Sequence, residues 1–126
     1  ATLIDDTYNA NPESVRAALA VLAAIPGRKF MVLGDMGELG ENAATLHEGI
    51  GEEAQRAGID RLFALGELSV HTVAKFGEGA RHFERIEELL AEVENLLAPD
   101  VTLLVKGSRF MQMERVVKSF EVPSCC

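Results

Sequence analysis

A chain of 126 residues, 48% hydrophobic and 25% charged, has the composition of one globular domain. Its formal net charge of -8 argues against nucleic acid or an anionic membrane as the main partner, since both reward clustered Lys and Arg. No apolar run is long enough to span a bilayer.

The chain opens inside a strand at Ala1. We therefore expect a single domain over 1–126, cut from a longer protein with an N-terminal part before it. The short apolar run Thr2-Leu3-Ile4 leads into Asp5-Asp6-Thr7-Tyr8-Asn9-Ala10-Asn11-Pro12. Six of those eight side chains can donate or accept hydrogen bonds, more than a turn requires. Asn11 can cap a helix with Pro12 at its first position and Glu13 in its first turn. Val15, Leu19 and Leu22 form its apolar face, and Pro26-Gly27 closes it.

A compact strand at 29–33 ends at Gly34-Asp35, followed by a Gly-rich loop. A helix at about 43–57 stops at Gly58, and a strand at 61–65 ends at Gly66. A short helix at 68–76 stops at Gly77, and 80–83 is the shortest strand candidate. Ile86, Leu89, Leu90, Val93, Leu96 and Leu97 form a helical stripe. The strand at 101–105 is the most apolar and runs into Lys106-Gly107-Ser108-Arg109. Met113, Val116, Val117 and Phe120 mark a last helix. Strands separated by helices imply an α/β, mostly parallel sheet with helices on both faces.

Three strand ends are chemically loaded: 5–11, 34–40 and 106–109. In a parallel sheet they share one edge, where ligands of open α/β folds bind. Carboxylates there can take ribose hydroxyls or magnesium, amides can read an adenine edge, and Lys and Arg can pair with carboxylate or phosphate. Each piece also has a plain reading: acids that end a strand, an asparagine that only caps, a turn with a solvated arginine. His47 falls early in its helix on the Asp35 side, whereas His71 and His82 read as surface residues. Met111 and Met113 read as packing. Gly49-Ile50-Gly51-Glu52-Glu53-Ala54 matches a dinucleotide fingerprint in letters, but it lies inside a helix and its glutamates would repel a pyrophosphate. No GxxxxGK[ST] loop and no nucleophile elbow occur. Cys125 and Cys126 are adjacent, so they cannot staple the fold, and a cytoplasmic, reducing compartment is expected.

Three ordered motifs carry a resemblance: Asp5 through Pro12; Leu33-Gly34-Asp35-Met36-Gly37-Glu38-Leu39-Gly40 with His47; and Lys106-Gly107-Ser108-Arg109 with Met111, Met113 and Glu114. Together they resemble the C-terminal domain of the Mur ligase family, in the branch that adds D-alanyl-D-alanine to UDP-N-acetylmuramoyl tripeptide. The resemblance implies a Rossmann-like third domain of a three-domain, cytoplasmic, monomeric enzyme of peptidoglycan synthesis. In such enzymes ATP phosphorylates the tripeptide carboxylate, the dipeptide amine attacks the acyl phosphate, and magnesium neutralises the phosphates. The family's phosphate loop and most metal ligands lie in a central domain, and a phosphate-reaching arginine lies just upstream of the first strand. By motif position Asp6 resembles the ribose-binding acid, with Tyr8, Asn9 and Asn11 on the nucleotide side. Asp35, His47, Lys106, Ser108 and Arg109 resemble the dipeptide side. The resemblance assigns this domain neither a catalytic residue nor a metal ligand, and it implies that the domain alone is inactive. The competing reading is a receiver-type phospho-acceptor domain, with paired acids after its first strand and a lysine after its last. A non-catalytic nucleotide-binding fold is a third.

Overall fold

The computed structural model describes residues 2–6, 11–37, 39–107, 113, 115, 116 and 118. Among these residues five strands alternate with four full helices: β1 (Thr2–Asp6), α1 (Pro12–Ala23), β2 (Arg28–Gly34), α2 (Ala43–Arg56), β3 (Arg61–Leu65), α3 (Ser69–Phe76), β4 (Ala80–Phe83), α4 (Ile86–Leu96) and β5 (Val101–Lys106). A single 3₁₀ turn, Gly40–Asn42, leads into α2. Every pairing is parallel, and the strand order is β1-β5-β2-β3-β4.

The chain steps across the sheet from β1 to β4, then returns to insert β5 between β1 and β2. Right-handed crossovers then put α1, α2 and α3 on one face and α4 on the other. The two cores agree with this. One joins Leu19 and Leu22 of α1, Ile50 and Ala54 of α2 and Phe76 of α3 to Met31, Leu33 and Leu104. The other joins Leu89 and Val93 of α4 to Phe30, Val32, Phe63, Leu103 and Val105, with Met113 and Val116. Every residue of β5 is buried, because strands flank it on both sides and helices cover both faces.

Local chemistry sets the element ends. Asn11 is extended at φ -135° and its Oδ1 accepts from Ser14 N–H at 2.8 Å. Ser14 Oγ accepts from Asn11 N–H at 3.0 Å, closing a capping box. At the opposite edge of the sheet, the Arg28 guanidinium makes two bonds to Asp100, of 2.9 and 3.0 Å. The fingerprint-like glycines fall inside α2, and Gly51 serves packing: a Cβ there would collide with the Thr72 carbonyl of α3. Among the described residues of the expected last helix, Arg115, Val116 and Lys118 are helical. Val117 and Phe120 lie outside the described residues.

Candidate functional site at the carboxyl edge of the sheet

Register brings the three motifs together. Asp6 pairs with Lys106 across β1 and β5, and Lys106 pairs with Leu33 across β5 and β2. Two strand spacings separate Asp6 from Leu33, about 10 Å. β2 ends at Gly34, and Asp35, two residues after Leu33, begins the loop that leaves it. The exits of β1 and β2 lead to helices on the α1–α3 face, while the residues after β5, Met113 and Val116, pack on the α4 face. The crevice of an open α/β sheet forms where neighbouring strands send their connections to opposite faces. That point lies over Lys106.

Lys106 is the last residue of β5 rather than the first of a loop, and it is 1% exposed. It shares the parity of Leu104 and so faces α1, where its Nζ lies 3.4 Å from Ser14 Oγ among its contacts. A buried ammonium persists only with polar or anionic partners. Asn11 caps α1 beside it, so its Oδ1 serves the helix, and its side-chain NH2 is the group a ligand would use. For Asp6 only the backbone position is described. Tyr8, Asn9, Ser108 and Arg109 lie outside the described residues.

Asp35 turns away from this crevice. Its carboxylate is buried and accepts three hydrogen bonds at the start of α3: from Leu68 N–H at 3.0 Å, Ser69 N–H at 2.8 Å and Ser69 Oγ–H at 2.7 Å. No side chain of α3 caps that helix, so Asp35 does so from 33 residues upstream and places its charge at the positive end of the dipole. Gly66 makes room. Its φ is +117°, and a Cβ there would stand 2.5 Å from the Asp35 carboxylate.

His47 is fully buried and holds the next residue of the same loop. Its Nε2 accepts from Met36 N–H at 3.0 Å, and its Nδ1–H donates to the Ala43 carbonyl at 2.7 Å. These partners assign the neutral, Nδ1-protonated ring. Thr72 Oγ1–H donates to the His47 carbonyl at 2.8 Å, which ties α2 to α3. The loop after β2 is thus bracketed by both helices, with the Met36 side chain fully buried beneath it.

Sequence reasoning missed Gly66, Ser69 and Thr72. A serine opening an apolar helix is a capping signal, but its partner across 34 residues is visible only in three dimensions. The surface reading of His82 is corrected: it is half-buried, with Nε2 2.6 Å from the Gly66 carbonyl oxygen. His71 is half-buried as well. Open clefts of about 410 and 610 Å³ lie at the β3–β4 end of the same edge, around Gly66 and Glu84.

Residues 1–109 match the family described as Mur ligase, glutamate ligase domain. The chain is 40% identical, over 126 residues, to the UDP-N-acetylmuramoyl-tripeptide–D-alanyl-D-alanine ligase of Escherichia coli, covering 98% of this chain and 28% of that protein. It is 42% identical to the ligase of the same name from Buchnera aphidicola, covering 92% of this chain and 26% of that one. A solved MurF from Acinetobacter baumannii superimposes with a TM-score of 0.86 at 36% identity, over 93% of this chain and 26% of that one. A MurF ligase from Thermotoga maritima, solved in complex with ADP, does so with a TM-score of 0.84 at 28% identity, over 94% and 27%. The chain thus spans little more than a quarter of these relatives. With its α/β sheet and three ordered motifs, the chain belongs to the Mur ligase family, as a glutamate ligase domain.

Proposed function

We propose that this chain is the C-terminal domain of an ATP-dependent ligase of peptidoglycan synthesis, cytoplasmic and monomeric, that joins D-alanyl-D-alanine to UDP-N-acetylmuramoyl tripeptide. The names of the relatives support the reaction, and the ADP complex of the Thermotoga maritima enzyme supports the nucleotide. The observation that carries the reading is the register that sets Asp6, Lys106 and Leu33 side by side beneath one crevice. No described helix is long and apolar enough to cross a membrane.

The roles divide across β5. On the β1 side Asp6 accepts from ribose hydroxyls, the Asn11 amide and Asn9 donate to the nucleotide, and Tyr8 stacks or packs beside them. On the other side Lys106 and Arg109 supply positive charge for the dipeptide carboxylate, and Ser108 adds a hydroxyl. Asp35 and His47 belong to this side through the loop they hold. A bound, oriented amine beside an activated carboxyl makes the joining step effectively unimolecular, which is where such a domain contributes rate. Magnesium, when used, neutralises phosphate charge. Among the described residues no group of three or more His, Cys, Asp or Glu side chains could hold a metal ion.

The receiver-type alternative fails on topology. Such domains carry the order 2-1-3-4-5 with an interior first strand, whereas β1 here is an edge strand. The end of β3, Ala64-Leu65-Gly66, also offers no acid to phosphorylate.

The test is Asp6→Ala in the full-length ligase. Loss of a charged hydrogen-bond acceptor predicts an ATP KM raised about tenfold or more, with the dipeptide KM little changed. An unchanged ATP dependence contradicts the role given to Asp6.

A further inference from the structure

We propose that Asp35 and Ser69 are positioning residues for the incoming dipeptide: Ser69 and the start of α3 hold the Asp35 carboxylate, and Asp35 acts by fixing the loop after β2, without touching substrate. The proposal rests on the ligase reading and sharpens it. Sequence position alone makes Asp35 a candidate acceptor for the dipeptide amine. Geometry points elsewhere. The carboxylate is 6% exposed and already accepts from two backbone N–H groups and a hydroxyl that is itself fully buried. Its neighbour on another side is Gly66, where the chain can approach only because no Cβ intervenes. A carboxylate enclosed in this way has few lone pairs left for a ligand.

What the arrangement does is fix a loop. Asp35 ties its first residue to α3, and His47 ties its second, Met36, to α2. Thr72 and Gly51 then lock α2 against α3. Residues 35–37 therefore leave β2 at one defined angle, next to the β2 position that pairs with Lys106. Binding groups need this kind of support, because a misplacement of about 1 Å can cost about 100-fold in rate.

The experiment uses the full-length ligase, with initial rates of phosphate release against D-alanyl-D-alanine and against ATP, and a melting curve for each variant. Ser69→Ala removes one of three donors and keeps both backbone donors, so the fold survives. We expect it to raise the dipeptide KM about fivefold to tenfold, with the ATP KM within about twofold. Ser69→Thr, which keeps the hydroxyl, should restore most of the affinity. Asp35→Asn should raise the dipeptide KM further, and adding Ser69→Ala to it should change little, because both act through one contact. If Asp35→Asn weakens dipeptide binding while Ser69→Ala leaves it unchanged, Asp35 touches substrate and the proposal is wrong. A parallel loss of both affinities and of melting temperature marks a merely structural role and overturns it too. Should Asp35→Asn fail to fold, the comparison of Ser69→Ala with Ser69→Thr decides alone. Phosphate release that does not depend on dipeptide in the unsubstituted enzyme would overturn the ligase reading and this proposal together.

Discussion

Among the described residues, the buried side chains of the α4 face of the sheet are all apolar, with Phe30 and Phe63 edge to face at 5.7 Å. The α1–α3 face is just as well packed, yet Asp35, His47, Ser69, Thr72 and Lys106 are buried on that side. Apolar packing asks only for the right volume and accepts many solutions. Buried polar groups accept few, because each unpaired donor or acceptor is costly. The α4 face therefore supplies cohesion. The α1–α3 face supplies both cohesion and the fixed angles of the loops at the carboxyl edge, and most of its polar pairs sit at that edge.

The sharpest way to break this comparison is Leu89→Ala. Leu89 is fully buried beneath α4, so its truncation should cost about 2–5 kcal/mol of stability, read as a lower urea midpoint. Both KM values of the ligase should stay unchanged while the protein is folded. A shift in dipeptide KM as large as that of Ser69→Ala would erase the distinction between the faces. Ser69→Ala itself lies in the middle, with a stability loss of about 1–3 kcal/mol beside its kinetic effect.

The smallest effect belongs to the exposed pair at the opposite edge. A hydrogen bond and the charge of Arg28 hold the Asp100 carboxyl below its ordinary value of 3.8. A depressed carboxylate stabilises the fold above the unfolded value and loses that contribution as pH falls through the folded one. The difference in melting temperature between the unsubstituted chain and Asp100→Asn should be small at neutral pH, shrink below pH 3.8, and fade with added salt. A difference that grows on acidification would contradict this sign.

Much of the fold was legible in the chain. Asn11-Pro12-Glu13 announces α1, and the stripe of Ile86, Leu89 and Val93 announces α4. The mostly apolar run of β5, broken only by Thr102 before Lys106, marks a strand covered on both faces. The strand order was not legible, because periodicity says which face a residue takes but not which strand lies beside it. Parallel topology alone brings the loaded loops to one edge. Only the insertion of β5 between β1 and β2 makes Asp6, Lys106 and Leu33 neighbours. Lys106 was legible as chemistry but not as a buried strand residue, since a charged residue before glycine reads as a turn. Asp35 was legible as a strand-end acid, and its pairing with Ser69 was not, because nothing local encodes a partner 34 residues away.

The most direct test of the central claim is a structure of the full-length ligase with ADP and D-alanyl-D-alanine bound. The account predicts the ribose hydroxyls within hydrogen-bond reach of Asp6, and the dipeptide carboxylate over the end of β5 on Lys106 or Arg109. Both ligands seated at the β3–β4 end, in the clefts around Gly66 and Glu84, would contradict it.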